Sequence, residues 1–308
     1  MDAQLHGILL GAFAADSLAL GAHWEYDQNR ISENLGDVRE LLAPTLNEYH
    51  PGKRAGDLSH YGDQALWLLR FVVEHGRFDA PGFTARWRDN MRTYTGYRDH
   101  ASKDTLHNME QGKEPSGAET SDFAGPARLV ALLPAHPLRS ASPERLAAFL
   151  ADAAAQTRIT HNTPLLADVA AFLGYSLHAL CNGATSMAEA FAAAAEVSYA
   201  QLPAKKWLAA AESRLDQKPN PTVQAMGQAC GVPGAMLATL YLAEKYENDP
   251  VEGLIRNVMA GGDSCARGFM LGALYGACNG EEWIPPSWRK ALAVTDEIGR
   301  IRSVRTSS

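Results

Sequence analysis

The stretch Gly261-Gly262-Asp263-Ser264-Cys265-Ala266-Arg267-Gly268 places a carboxylate and a thiol at the start of a helix. Gly261 and Gly262 can take backbone angles that other residues avoid, which suits a tight turn. Asp263 is then an N-cap, its carboxylate accepting the free N–H groups of the first turn. Cys265 falls in that turn, where the helix N-terminus favours thiolate and the neighbouring Asp263 opposes it by like-charge repulsion. His60, His100 and His161 are candidate partners for such a thiol. The competing reading is a buried, inert cysteine, because free cysteine is among the most buried residue types. Two further carboxylates sit in comparable places: Asp16 after an N-terminal apolar helix, and Asp63 as the cap of another in His60-Tyr61-Gly62-Asp63-Gln64. The run Gly21-Ala22-His23-Trp24-Glu25-Tyr26-Asp27 mixes aromatic and acidic groups as a pocket wall would, although Trp24 and Tyr26 taken singly read as core.

Two stripes of small residues are placed to position these acids. Gly7, Gly11 and Ala15 lie along one side of the first helix, and Gly268, Gly272, Gly276 and Gly280 along one side of the helix after Asp263. A glycine costs a helix roughly 1 kcal/mol relative to alanine. Close approach of another backbone is the usual offset. The spacing predicts that the two faces meet, at or below the low end of the usual interaxial distance of roughly 8–10 Å. If the helices run antiparallel, Asp16 lies beside Asp263, and the start of the Asp63 helix would have to join them. Three carboxylates gathered there would repel one another, so at least one needs a raised pKa or a cation between them. The alternative is that the stripes pack on different helices and the acids are scattered caps.

The rest of the chain limits what such a site serves. At 308 residues the chain is long enough for two average domains or one large one. It is 46% hydrophobic and 20% charged, as a soluble globular protein is. A net charge of −7 with no long basic run argues against a nucleic-acid or anionic-membrane surface, while leaving room for a local pocket for an anionic ligand. The four cysteines form no CxxC pair and no zinc spacing. The N-terminus lacks a positive n-region, so no signal peptide is expected and a cytoplasmic, reduced setting is. No stretch reaches about 18 uninterrupted apolar residues, so no membrane span is expected.

Helical spacing recurs over 3–15, 63–73 with Gly76 as a stop, 81–94, near 103–111 and from Arg128 to Leu133. It returns over 143–156, 165–180, 186–198, 203–215, 234–246, 250–259 and 286–299. Residues 28–60 read as a long irregular connection with one short helix, 217–221 as a loop, and the tail after 302 as frayed. Period-two alternation is scarce. The expectation is an all-α single domain over 1–308, roughly a dozen helices packed on one another. The polar runs at 16–27, 60–64, 96–105, 120–128, 157–163 and 261–267 would make one pocket if they gather at one end.

These runs are where the chain resembles the ADP-ribosylglycohydrolase family, almost end to end. The likeness rests on the first helix with Gly7, Gly11 and Asp16; on Tyr61-Gly62-Asp63-Gln64; on Arg128; on Thr160-His161; and on Gly261-Gly262-Asp263. Within the family it is most similar to the J-crystallin and selenoprotein J branch, through His23-Trp24, Tyr61-Gly62-Asp63-Gln64 and Gly261-Gly262-Asp263-Ser264-Cys265. The resemblance implies an orthogonal all-α fold and a cleft for an ADP-ribosyl group. It also implies hydrolysis of the glycosidic link from that sugar to a protein side chain or small molecule. The partners would be an ADP-ribose-type small molecule or an ADP-ribosylated protein. Asp63 and Asp263 would be the central carboxylates, with Glu25 and Asp16 nearby, one activating water while a neighbour protonates the leaving group. Cys265 is the alternative reactive group. The substrate side falls to Asp16, Trp24, Tyr61, Gln64, Asp122, Arg128, His161, Gly262 and Ser264. Arg128 would meet either a phosphate or a carboxylate of the protein.

Hydrolases of this family usually hold two magnesium ions with a Y-T-D-D-T turn and a G-G-D-T-D-T turn. Here the first reads Tyr61-Gly62-Asp63-Gln64-Ala65 and the second Gly261-Gly262-Asp263-Ser264-Cys265-Ala266. One aspartate survives in each, and Gln64, Cys265, Gly62 and Ala266 replace other expected oxygen ligands. Magnesium demands hard oxygen donors, so the expectation is weak binding through Asp63 and Asp263, or none. Two readings of function stand: a hydrolase with a degenerate metal site, and a non-catalytic ADP-ribose-type binder or crystallin-like structural protein.

Overall fold

The computed structural model describes residues 3–301, and the tail after 302 lies outside the described residues. In chain order the α-helices are α1 (Ala3–Leu20), α2 (Gln28–Leu35), α3 (His60–His75), α4 (Ala80–Thr93), α5 (His100–Glu110) and α6 (Ala124–Ala127). A 3-10 turn (Arg128–Leu132) follows, then α7 (Pro143–Thr160), α8 (Pro164–Cys181), α9 (Met187–Ala195), α10 (Ala204–Glu212) and α11 (Pro219–Met226). The chain closes with α12 (Gly234–Lys245), α13 (Pro250–Met259), α14 (Ser264–Asn279), α15 (Pro286–Ala291) and α16 (Thr295–Gly299). Among the described residues there is no strand, only isolated bridges at Ala118–His161 and Asp122–Gly231. The all-α expectation holds, with short helices bringing the count above a dozen.

α1 and α14 are the axis of the fold. They run antiparallel, and their glycine stripes meet. A Cβ at Gly272 would overlap the Gly11 carbonyl, one at Gly276 the Gly7 carbonyl, and one at Gly268 would lie 3.0 Å from the Ala15 carbonyl oxygen. Phe13 and Phe269 pack edge-on at 5.2 Å in the same interface. Burial on both sides of this contact offsets the helix cost of the glycines. α1 and α8 are each apolar and long enough to cross a membrane by length and composition, although polar residues interrupt both. Here 89% of α1 and 56% of α8 is buried, as in core helices.

Helix boundaries differ from expectation where a tertiary partner satisfies a polar residue. α1 does not stop before Asp16. Asp16 accepts hydrogen bonds from the Ser59 N–H, at 2.7 Å, and hydroxyl, and the Ser17 hydroxyl donates to the Asp57 carbonyl at 2.8 Å. The helix can therefore carry both into the core. α3 begins earlier than predicted, capped by Ser59 rather than Asp63: the Ser59 Oγ accepts from the N–H groups of Tyr61 and Gly62. The stretch read as a loop at 217–221 enters α11 instead. Prolines at its start are compatible with a first helical turn, whose N–H groups have no intrahelical partner.

Candidate active site

The turn before α14 is built as its sequence suggests. Gly261 and Gly262 have φ of 75° and 73°, the left-handed region that glycine tolerates. The Gly262 N–H donates to the Glu25 carbonyl at 2.7 Å, and the Trp24 N–H donates back to the Gly262 carbonyl at 2.9 Å. Arg267, fully buried, donates to Asn257 Oδ1 (3.1 Å), the Gln228 carbonyl (3.0 Å) and the Gly261 carbonyl (2.6 Å), locking the turn from beneath. Asp263 caps α14 through the Ala266 N–H at 3.4 Å. Its other oxygen, Oδ2, accepts from Tyr61 Oη at 2.9 Å and Trp24 Nε1 at 3.3 Å.

The second carboxylate here is Asp122. The bridge to Gly231 and the Phe123 N–H bond to the Cys230 carbonyl, 2.8 Å, set its position. Asp122 Oδ1 accepts from the Ala124 N–H at 3.0 Å, and Oδ2 lies 3.4 Å from Tyr61 Oη. One phenol hydroxyl therefore bridges two buried carboxylates. Burial, then the charges of Asp263 and Asp99, push Asp122 well above the usual carboxylate range. Burial also raises Asp263, opposed by the Tyr61 hydrogen bond, Arg267, His60 and Trp24. The cationic and donor groups gather on Asp263, which makes it the more acidic member, and the shared proton favours Asp122.

Beside this pair lies a histidine cluster. His23, His50 and His60 are buried at 1%, 3% and 0% exposure. His50 Nε2 lies 3.1 Å from His60 Nδ1, and His60 Nε2 is 3.5 Å from Asp99 Oδ2. Burial and the neighbouring imidazoles lower His23 well below its usual value, and burial lowers His50 to about 3. Burial works to raise Asp99, but His60 and Ser102 outweigh it and hold the carboxyl low. Trp24, in the left-handed region at φ 62°, covers the cluster and meets Tyr49 and Tyr97 edge-on at 5.0 and 4.9 Å. Tyr26 and Tyr49 are 46% and 44% exposed and form the outer rim.

Other residues singled out in the sequence have different partners. Asp63 is two positions beyond Tyr61 on α3, about 200° around the helix. It faces Lys53, at 2.6 Å, and the Tyr94 hydroxyl, not Asp263. Asp16 is fully buried and fastens α1 to the cap of α3; burial raises its pKa to about 6. A Cβ at Gly62 would overlap the Asp16 carboxylate, so that bond requires glycine where the family turn has threonine. The three acids thus do not line one cleft, although the glycine stripes do meet. Glu25 turns to Arg30, at 2.7 Å. Cys265 is fully buried, its thiol directed at the Asp16 carbonyl at 3.5 Å; burial, Asp16 and Asp263 raise it well above a normal thiol, which disfavours thiolate. The thiol's hydrogen bond goes to that carbonyl and not to His60, His100 or His161, and the backbone N–H of Cys265 donates to His23 Nδ1 at 3.4 Å.

No carboxylate is among the hydrogen-bond partners of Arg128. It donates to Gln156 Oε1 (3.0 Å), Gln64 Oε1 (3.2 Å) and Thr160 Oγ1 (2.6 Å), and burial lowers its pKa to about 10. Gln64 is further fixed by Trp87 Nε1 at 2.8 Å. His161 Nδ1 lies 2.7 Å from Thr160 Oγ1, and its ring packs over Gly125. Ser264 is buried, with a hydroxyl that has no hydrogen-bond partner. His50, Lys53 and Cys230 escape the sequence reading. The first two sit in the aperiodic 28–60 segment, and nothing in the sequence pairs Cys230 with Asp122.

The family's two-magnesium set does not fit these side chains. Gln64 is committed to Arg128 and Trp87, Asp63 to Lys53, and Cys265 to a carbonyl. Ala65 and Ala266, where the family turns carry threonines, line a cavity of about 10 Å³ together with Tyr61, Ala124, Ala127, Arg128 and Phe269. That is room for roughly one water. Two other groups offer ligand atoms within 4.8 Å of one another: His23, His50 and His60, and Asp122, Cys230 and Asp263.

Comparison with known proteins agrees with this architecture. Residues 2–306 match the family model described as ADP-ribosylglycohydrolase. Crystallin J1A of Tripedalia cystophora is 25% identical, over 94% of this chain and 92% of its own length. Crystallin J1B of the same animal is 23% identical, over 91% and 89%. A solved structure titled ADP-ribosylglycohydrolase-related protein complex shares the fold, with a TM-score of 0.68, 21% identity, and 96% and 94% of the two chains covered. The chain belongs to the ADP-ribosylglycohydrolase family.

Proposed function

We propose that this chain hydrolyses a glycosidic bond of an ADP-ribosyl group with the Asp122–Asp263 pair as its acid and base. The observation that carries this reading is the Tyr61 hydroxyl shared between the two carboxylates, at 3.4 and 2.9 Å. Like-charged carboxylates this close hold one proton between them, which gives one acid and one base at neutral pH. Asp263 takes a proton from a water as that water attacks the anomeric carbon. The Asp122 proton passes to the leaving atom as the glycosidic bond breaks. The proton on Asp263 then returns the pair to its starting state through Asp122 or solvent. Tyr61 orients both carboxylates throughout. The exposed faces of Tyr26 and Tyr49 suit an adenine ring, and a substrate would reach the acids by displacing the rings of Trp24, Tyr49 and Tyr97, which meet edge-on. The substrate is an ADP-ribosylated protein or an ADP-ribose-type small molecule. Magnesium has no part in this chemistry. The test is turnover of ADP-ribosyl-arginine, ADP-ribosyl-serine and O-acetyl-ADP-ribose, with magnesium and with EDTA. Turnover that survives EDTA and is lost in Asp122→Asn supports the reading, and turnover that depends on magnesium refutes it.

A second reading is a non-catalytic ADP-ribose-type binder or a crystallin-like structural protein. It is favoured by the missing oxygen ligands at Gly62, Gln64, Cys265 and Ala266 and by the crystallin names of the relatives. Thermal stabilisation by ADP-ribose without turnover of any of the substrates selects the binder, and neither effect selects the structural protein.

A further inference from the structure

The geometry points to a divalent transition-metal site formed by the imidazoles of His23, His50 and His60. These residues come from three separate segments: the turn after α1, the irregular stretch before α3, and the first residue of α3. All are buried, so none is a solvated surface histidine. Their ring centroids lie 5.4, 5.9 and 5.3 Å apart, at interplanar angles of 55°, 43° and 36°. Imidazoles on one tetrahedral ion, with metal–nitrogen bonds of roughly 2.0–2.1 Å, hold their centroids roughly 5 Å apart and their ligand nitrogens roughly 3.3 Å apart. His50 Nε2 and His60 Nδ1 are 3.1 Å apart. One ligand atom from each ring lies within 4.8 Å of the others, and binding through His23 Nε2 displaces the long Cys265 N–H contact of 3.4 Å on that ring's Nδ1.

Hydrogen bonding leaves part of this cluster unsatisfied. His23 Nε2 and His50 Nδ1 are buried without a hydrogen-bond partner, while His60 Nε2 and Asp99 Oδ2 face each other at 3.5 Å. Buried polar atoms are normally paired, so two orphans in one cluster need a cause. With a metal on His60 Nδ1, the proton of that ring resides on Nε2, which is 3.5 Å from Asp99 Oδ2. That is the carboxylate–histidine–metal arrangement that fixes a ligand's tautomer. Three imidazoles select zinc, copper, nickel or cobalt and not magnesium. The ion would tie the turn after α1 to the start of α3, with His60 directly before the first of the two turns that carry magnesium in the family.

The test uses untagged full-length protein stripped with a chelator and titrated with Zn²⁺, Co²⁺ or Cu²⁺. The expected result is stoichiometric uptake, with a tetrahedral Co²⁺ visible spectrum lacking a thiolate charge-transfer band. Zn²⁺ should raise the melting temperature, and Mg²⁺ should change neither signal. His50→Gln abolishes stoichiometric uptake, and Asp99→Asn weakens it roughly 10- to 100-fold. Because a buried variant can misfold, the wild-type Cu²⁺ complex gives an independent reading: its EPR spectrum should show coupling to several imidazole nitrogens. Absence of stoichiometric uptake, uptake unchanged in folded His50→Gln, or a thiolate band that places the ion on Asp122, Cys230 and Asp263 overturns the proposal.

Discussion

Replacing Asp16 with asparagine should make the protein more stable at pH 8 and leave it about as stable at pH 4. Asp16 is fully buried, and burial raises its pKa from 3.8 to about 6. The sign follows from a folded value above the unfolded one. Below about pH 4 the carboxyl is protonated in both states and carries no penalty. As pH rises through 6 the folded state must ionise a buried group, and stability falls. A shift of that size corresponds to about 3 kcal/mol once both states are ionised. Asparagine keeps an oxygen for the Ser59 N–H and never ionises. Its amide N–H would point at the Ser59 hydroxyl, which already accepts from Tyr61 and Gly62, so a small pH-independent loss is expected as well. The assay is urea denaturation of both proteins between pH 4 and pH 8. Other titrating groups cancel in the difference, which should grow in favour of the variant by about 2–3 kcal/mol across that range. A difference that stays flat, or that moves the other way, refutes the claim that Asp16 is buried at the cost of its charge.

Removing the phenol hydroxyl in Tyr61→Phe takes away a bond that holds Asp263 down, so the acid limb of the pH–rate profile should move to higher pH. Turnover should drop roughly 10- to 100-fold, read with an ADP-ribosyl substrate. Gly272→Val would drive a side chain into the Gly11 carbonyl and should destabilise the fold by about 3 kcal/mol or prevent folding. Gly299→Ala, whose Cβ meets nothing within 4 Å, should stay within about 0.5 kcal/mol of wild type by denaturant titration. The double variant Gln64→Asp with Cys265→Asp should gain no magnesium affinity by calorimetry, because an acid at position 64 would face Arg128.

The helices and the glycine seam were legible because both rest on periodicity. Apolar spacing marks a helix, and glycines four apart mark the face where another backbone arrives. The N-cap role of Asp263 was legible for a similar reason, since cap, turn and helix are contiguous. The site was legible only in part. Asp63 was misplaced because its helix begins at His60, and the cap is a serine held by a residue far away in sequence, Asp16. A single residue's shift in a helix start turns a side chain by about 100°, so a local error there becomes the wrong partner. The pairing of Asp122 with Asp263 needs the Asp122–Gly231 bridge, and the histidine cluster needs an aperiodic segment to fold back on α1. Neither contact leaves a local trace in the sequence.

What unites these departures is how each acid loses its isolated charge without magnesium. Lys53 neutralises Asp63, and Arg30 neutralises Glu25. Burial pushes Asp16 and Asp122 towards their protonated forms. Asp263 is held by donors from Tyr61, Trp24 and the α14 N-terminus, with Arg267 nearby. A pair of divalent cations would supply the same compensation in one place, and it would require the oxygen donors that Gln64, Cys265, Gly62 and Ala266 do not provide. The replacements are therefore coupled. Glycine at 62 admits Asp16 to Ser59, and glutamine at 64 gives Arg128 a neutral acceptor. Restoring one acid in the middle of this arrangement adds an unpaired charge or a new ion pair, not a metal ligand. Reversion towards the family pattern should thus lower stability unless Lys53 and Arg128 change with it, since each of those cations already has its place.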